Sequence, residues 1–476
     1  MAAENEAAKP RVEAAGPRKP NRREVLAGLS TVPALGLFGY AWQTERRYQH
    51  AAIEAASAAP VAADEAEELN VALLGAGAQG QVLLDAMLRI PGLRFRAVCD
   101  VWTEYNLTRV VNSLKRFKHE PNGYEDYREM LDKEADLDVV VVATPDFWHA
   151  QHTVDCLKAG THVYCEKEMS NTLEGARRMV LAARETGKLL QIGHQRRSNP
   201  RYLHCHEKLI GEANLLGRIV TVNGQWNRSV APDLGAPARY AIPEARLEQY
   251  GYRDMAQFRN WRWYKGLGGG PIVDLGSHQI DIYTWFLGAN PSAVMASGGL
   301  LYHDPATHEW YDTVMVVYDY DTPAGPVKAF YQTQTTNGSQ GYFENFMGDQ
   351  GTLLISESEV NYAGQVYRDP NAPAWDRWIQ RGYITAPRIQ EATERESGAV
   401  TDVRESVSPD QHTVPVVLRD PYHQPHLQNF FDAVRGKGTL NCPPEIGYES
   451  AVSVLKVNDA IEARTLLTFS PGDFHV

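Results

Sequence analysis

The stretch LNVALLGAGAQGQVLLDAML, beginning at Leu69, constrains the fold more than any other part of this chain. Val71 to Leu74 is a short unbroken apolar run, which marks a strand buried on both faces. Gly75, Gly77 and Gly80 follow as GxGxxG with Gln79 inside the turn, and helical spacing resumes from Gln81 to Leu88. Glycines there let the backbone turn sharply and approach a pyrophosphate, and the N-terminus of the next helix favours the anion. GxGxxG alone is a weak signal; its place between strand and helix is what the mechanism requires. The second strand, LRFRAVCD, ends in Asp100, twenty positions past Gly80. A carboxylate there bonds both ribose hydroxyls of NAD and repels a 2′-phosphate, so NAD is expected rather than NADP.

The same rhythm continues. LDVVVVATPDFWH ends a buried strand at Thr144 and Pro145, with His149 in the helix that follows. THVYCEKEMS ends another at Glu166 and Lys167, and KLLQIGHQRR carries Gln195 just past a third. Strands alternating with helices imply a doubly wound parallel sheet, and such sheets bind ligands outside the carboxyl ends of their strands. Thr144, Pro145, His149, Glu166, Lys167 and Gln195 are therefore expected at a cofactor cleft, with the glycines, Gln79 and Asp100. Lys167 is placed where its cation would lower the pKa of a substrate hydroxyl; the plainer reading is a surface ion pair with Glu166 or Glu168.

Beyond Tyr202 the pattern changes to short runs separated by turn signals, such as RIVTVNGQWNR, YDTVMVVYDYD and GPVKAFYQTQT. This predicts an α+β domain with an open, mainly antiparallel sheet, closed by two amphipathic helices in the tail. Within it GGGPIVDLGSHQIDIYTWFLG reads as a helix starting at Pro271, with Asp274 and His278 one turn apart on one face. Histidine suits a general base because its ordinary pKa of about 6.5 lies near working pH. Asp281 has no evident role. Arg197, Tyr202, Trp226, Arg262 and Trp263 are the expected substrate contacts, with aromatic faces for stacking and guanidinium groups for donating. The loop-rich stretches 229–258 and 364–420 read as a lid or an oligomer contact.

At 476 residues, 43% hydrophobic and 22% charged, the chain is globular with room for two domains and an extra segment. A net charge of −12 argues against nucleic acid. Five irregularly spaced cysteines with no CxxC pair indicate neither a zinc site nor a disulfide framework, and no metal is expected. Arg22 and Arg23 precede a weakly apolar run from Val25 to Trp42, the pattern of a twin-arginine export signal. Val25 and Ala27 depart from that motif's preferred residues and no clear cleavage site follows. Periplasmic export is expected, with the run cleaved or retained as a membrane anchor, and residues 51–68 read as a linker.

Taken in order, GAGAQG, ATPDFWH, EKE, GHQRR, GGGPIVDLGSHQID and HLQNFFDAV resemble the Gfo/Idh/MocA family of oxidoreductases, from about residue 69 to the C-terminus. Ahead of it lie the export segment or anchor and linker at 1–68, and the resemblance implies an NAD-binding Rossmann domain at 69–197 and a substrate and oligomerisation domain at 198–476. It implies hydride transfer between NAD(P) and a sugar, glycoside or polyol, and dimers or tetramers formed through the second sheet; export away from a free NAD pool adds the expectation of a tightly held cofactor. Lys167, Asp274 and His278 match the family's lysine, acid and histidine, and also stand as substrate contacts. Glu168 replaces the family's usual proline, so a trans Lys167–Glu168 bond is expected. Two other readings compete. One is a glycosidase using NAD transiently through a 3-keto intermediate; the other is a non-catalytic cofactor-binding protein.

Overall fold

A computed structural model describes residues 67–230, 233–358, 364–387 and 409–476. The twin-arginine run and the linker, up to residue 66, lie outside them, as do 388–408 of the second long loop. Six parallel strands make the first sheet: β1 (Leu69–Leu74), β2 (Leu93–Cys99), β3 (Asn122–Tyr124), β4 (Val139–Val142), β5 (His162–Cys165) and β6 (Leu190–Ile192). Their order is β3-β2-β1-β4-β5-β6. The order reverses at β1, so the cleft of such a sheet opens at the carboxyl end of β1, where GAGAQG lies. The four valines of β4 are fully buried, as a central strand with helices on both faces requires. Gly75 has φ +97°, and a Cβ there would lie 2.6 Å from the Ala143 carbonyl carbon. Gly75→Ala is expected to cost about 2 kcal/mol or more, read as a lower urea midpoint, because both the conformation and the space belong to glycine.

The second sheet has nine strands: β7 (Ile219–Asn227), β8 (Pro291–Gly299), β9 (Thr313–Thr322), β10 (Gly325–Gln334), β11 (Tyr342–Gly348), β12 (Gly351–Ile355), β13 (Gln365–Arg368), β14 (Asp410–Thr413) and β15 (Leu467–Thr468). They run in the order β14-β13-β12-β11-β7-β10-β9-β8-β15, antiparallel except for the β7–β10 pair. One face is closed by Ile280, Tyr283 and Phe286 of the helix Gly276–Leu287 and by Val454, Val457 and Ile461 of the helix Pro444–Ala463. The chain then returns to the first domain. Leu427, Phe430 and Phe431 of the helix Gln424–Val434 join Leu83, Met87 and Tyr164 in its core. A boundary at 197 is thus a boundary in sequence but not in packing for this tail, which covers apolar surface on the first sheet.

Among the described residues no helix is long and apolar enough to cross a membrane, and no three His, Cys, Asp or Glu side chains are grouped to hold a metal. All five cysteines are buried and free.

Candidate active site

The glycine turn forms an anion cradle. Gly77 caps the helix Ala78–Met87 with no side chain occupying its first amides. A Cβ at Gly77 would meet nothing nearer than Asn106 Nδ2 at 3.9 Å, so this part of the turn is open, which suits a bound pyrophosphate. Gln79 Nε2 lies 3.0 Å from His423 Nε2, which arrives from the far end of the chain. Burial pushes the His423 imidazole down to about 4. Asp100 accepts from the Ala76 and Trp102 amides, each at 2.7 Å. Burial raises its pKa against those hydrogen bonds. The described part of the first long loop folds over this end of the sheet. Trp102 Nε1 donates to the Tyr240 carbonyl at 2.6 Å, Phe258 meets the Trp102 ring edge-on at 5.7 Å, and the Arg259 guanidinium lies 5.3 Å from it. Asp100→Ala is expected to erase most of the NAD-over-NADP preference, a change of about ten- to a hundred-fold for a charge-assisted contact. Titration with both cofactors checks it, and an unchanged ratio would remove Asp100 from the ribose site.

Thr144 Oγ1 sits 3.0 Å from His152 Nδ1, and Pro145 leads into the helix Asp146–Lys158 in extended geometry. Past β5, Glu166 and Glu168 are both buried rather than paired at the surface, and burial lifts them to about 7 and about 8. The Lys167–Glu168 peptide is cis, which corrects the expectation of a trans bond. Its orientation is set by neighbours: His149 Nδ1 holds the Glu168 carbonyl at 2.7 Å, and the Met169 amide donates to the Glu168 carboxyl at 2.8 Å.

Lys167 reaches across to the other domain. Its ammonium donates to the Asp274 carbonyl at 2.5 Å and lies 3.4 Å from Oδ1. The expected single helix is in fact two, Gly270–Asp274 and Gly276–Leu287, broken at Leu275. A break leaves carbonyls without intrahelical donors, and Lys167 takes the one on Asp274. Arg262 Nε donates to Asp274 Oδ1 at 3.1 Å. Burial alone would raise the Asp274 pKa, but Arg262 and Lys167 outweigh it and hold the carboxylate ionised well below its usual range. His278 is buried, with its ring 5.3 Å from Trp226, and its Nδ1 has no hydrogen-bond partner. Burial, then the nearby Lys167 charge, pushes its pKa well down, so the ring is neutral.

The structure brings Lys167, Asp274, His278, Trp226 and Arg262 together. It assigns other expected contacts elsewhere. Arg197 gives Asp281 a two-pronged ion pair through Nε and Nη2 at 2.8–3.0 Å, because a buried guanidinium requires a carboxylate. Asp281, unplaced from sequence, is that partner and also accepts from Ser450 Oγ at 2.6 Å. Tyr202 is fully buried with its hydroxyl on Glu344 at 2.7 Å. Trp263 packs on His308 and His303 at 4.3 and 5.2 Å. Gln195 spends its amide on Glu357 at 3.3 Å. Both His149 nitrogens lie against backbone carbonyls, those of Glu168 and Thr144, so it braces the cleft without a free nitrogen to offer it.

Sequence reasoning missed His423, since nothing local ties it to a motif some 340 positions earlier. It also missed Asp146, whose pKa burial raises to about 7 against the pull of Lys167 and Arg262. An acid directly after Thr144 and Pro145, in a first helical turn at a strand's carboxyl end, was the available signal.

A glycine cradle at a topological switch point, facing a second domain that carries an acid and a histidine, defines a two-domain nucleotide-binding protein of the Rossmann class. Residues 69–194 match the family model described as an oxidoreductase family with an NAD-binding Rossmann fold, and residues 208–354 match the GFO/IDH/MocA C-terminal domain. Together these span more than half of the chain, which belongs to the Gfo/Idh/MocA oxidoreductase family. Relatives include a scyllo-inositol 2-dehydrogenase (NADP(+)) of Bacillus subtilis (strain 168), 31% identical over 48% of this chain and 55% of its own length. Another is a levoglucosan dehydrogenase of Pseudarthrobacter phenanthrenivorans, 24% identical over 58% of this chain and 67% of its own. The match to the first thus spans little more than half of that relative. Among solved structures, the WlbA dehydrogenase from Bordetella pertussis, in complex with NADH and UDP-GlcNAcA, superposes with a TM-score of 0.60. It is 17% identical, over 85% of this chain and 99% of that one, a likeness of fold.

Proposed function

We propose that the protein is an NAD-dependent oxidoreductase acting on a carbinol of a sugar, glycoside or polyol. The observation that carries this reading is the meeting of Lys167 with Asp274, on the chain just before His278, beside the glycine cradle. Bound nicotinamide would supply the hydride acceptor, and the residues that would hold NAD are Gly75, Gly77, Gln79, Asp100 and His423. The chain's own share is the proton and the charge. Neutral His278 takes the hydroxyl proton as the C–H bond gives up its hydride. The Lys167 ammonium stabilises negative charge developing on that oxygen. Asp274, ionised, fixes Lys167 by both its carbonyl and its carboxylate and leaves the ammonium's remaining proton for substrate. The names of the relatives, inositol and levoglucosan dehydrogenases, support the substrate class, and Asp100 favours NAD over NADP.

We further read the chain as exported, on the strength of Arg22-Arg23 and the run after them. The loop packed against Trp102 favours slow cofactor exchange, which suits an enzyme away from a free NAD pool. Met295, Met315 and Phe330 stand exposed on one outward face of β8, β9 and β10 and favour a homo-oligomer through that sheet. A panel of sugars, polyols and aryl glycosides offered to the NAD-loaded full chain tests the reading. Absorbance change at the reduced-nicotinamide band is expected. Aglycone release with no net redox change would favour the glycosidase, and silence across the panel would leave a binding protein.

A further inference from the structure

The cleft holds one cation more than the transfer of a hydride needs. Lys167 and Arg262 both lie on Asp274. Arg228 is exposed and, among the described residues, has no ion-pair or hydrogen-bond partner for its side chain. Its place is set by β7. The Arg228 amide donates to the Gln334 carbonyl at 2.9 Å, so strand geometry continues through it. Side chains two apart on a strand share a face, and two residues earlier Trp226 faces His278 at 5.3 Å. Arg228 therefore lies on the cleft side, farther along the same wall, close enough that its charge helps to hold Asp274 ionised. Trp226 stacks on Tyr342 with ring centres 4.5 Å apart. The wall thus runs from a base, past an aromatic ring, to an unpaired guanidinium. The neighbouring acids do not cancel that charge: Asp274 is shared by two other cations, and burial keeps Asp146 and Glu166 only partly ionised near neutrality.

We propose that the substrate is an acidic sugar, a pyranose carrying a carboxylate, whose ring lies on Trp226 and whose carboxylate is received by Arg228 with Arg262 beside it. A guanidinium fork matches a carboxylate in both charge and shape. The inference rests on the carbohydrate oxidoreductase reading above for its site, but binding tests it without turnover.

The experiment is calorimetric titration of the NAD-loaded full chain with glucuronate and galacturonate, each beside its methyl ester, and with glucose 6-phosphate. The ester keeps every hydroxyl and loses only the charge. The acid is expected to bind about ten- to a hundred-fold more tightly than its ester at low salt, as for a charge-assisted pair, with the ratio falling as salt rises. Arg228→Gln should bring the ratio to below about three-fold, and Arg228→Lys, which keeps the charge without the fork, should leave it between. Equal binding of acid and ester by the unaltered protein overturns the proposal, whatever the variants do. So does a ratio that survives Arg228→Gln, and so does a preference for the phosphate over both acids. Arg228-dependent binding of an acid with no turnover of any sugar would sink the oxidoreductase reading and leave this one standing.

Discussion

Replacing Lys167 with methionine is expected to lower kcat by about a thousand-fold, at the upper end of what a single preorganised donor to a developing oxyanion supplies. Methionine keeps the apolar stem and removes only the ammonium. The cost is large because Lys167 is positioned from both sides: it leaves the end of β5 in one domain and is caught by the Asp274 carbonyl at 2.5 Å in the other. Its side chain is only 10% exposed, so water does not screen the charge as it would at a surface. Cofactor affinity should change by less than about three-fold, since the glycine cradle and Asp100 are untouched. Arginine should not restore activity, because its planar fork cannot occupy the place of a compact ammonium. Steady-state rates at saturating sugar, with a parallel NAD titration, check both halves. A Lys167→Met enzyme within ten-fold of the unaltered one would remove the lysine from the chemistry.

The difference between what could and could not be read from sequence is one of range. GAGAQG, the valines of β4 and the end of β5 are local patterns, and local patterns dictated the parallel sheet and the positions of Lys167, Asp274 and His278. Partner choice is not local. Arg197 and Arg262 look alike in sequence, each beside an aromatic or basic neighbour. Only the fold shows that Asp281 claims the first, while the second shares the site's Asp274 with Lys167. Tyr202 and Trp263 show the same limit: an aromatic ring near a cleft motif is as easily a core residue, and here the Tyr202 hydroxyl sits on Glu344 while the Trp263 ring packs on His308. The helix break at Leu275 had no signal in composition, since Gly276 is tolerated in helices. Yet the break is what frees the Asp274 carbonyl for Lys167. His423 reaches Gln79 only because the tail packs back onto the first domain, a topology that apolar periodicity cannot reveal.

Replacing His278 with glutamine is expected to cost about a hundred- to ten-thousand-fold in kcat, the span of a lost general base. The pH profile separates that role from a packing one. Burial and the Lys167 charge push the His278 pKa well below the ordinary 6.5. A base with a lowered pKa stays unprotonated as pH falls, until the pH nears its own value. The unaltered enzyme should therefore hold its kcat/KM as pH drops through 6.5 and lose it only at more acidic pH, whereas an ordinary exposed histidine would be half protonated at 6.5. The glutamine variant should lose this acid limb along with its rate, since glutamine does not titrate there. Loss of packing against Trp226 alone would lower the rate and leave the limb where it was. The same depressed pKa bears on direction. A histidine that gives up its proton readily is the stronger acid once charged, so in the reverse reaction it would protonate the forming alkoxide more readily than it would accept the proton in oxidation. For oxidation, the Lys167 charge must lower the substrate hydroxyl's pKa far enough for so weak a base to accept the proton. Lys167 and His278 are thus matched to each other, and removing either should cost nearly as much as removing both.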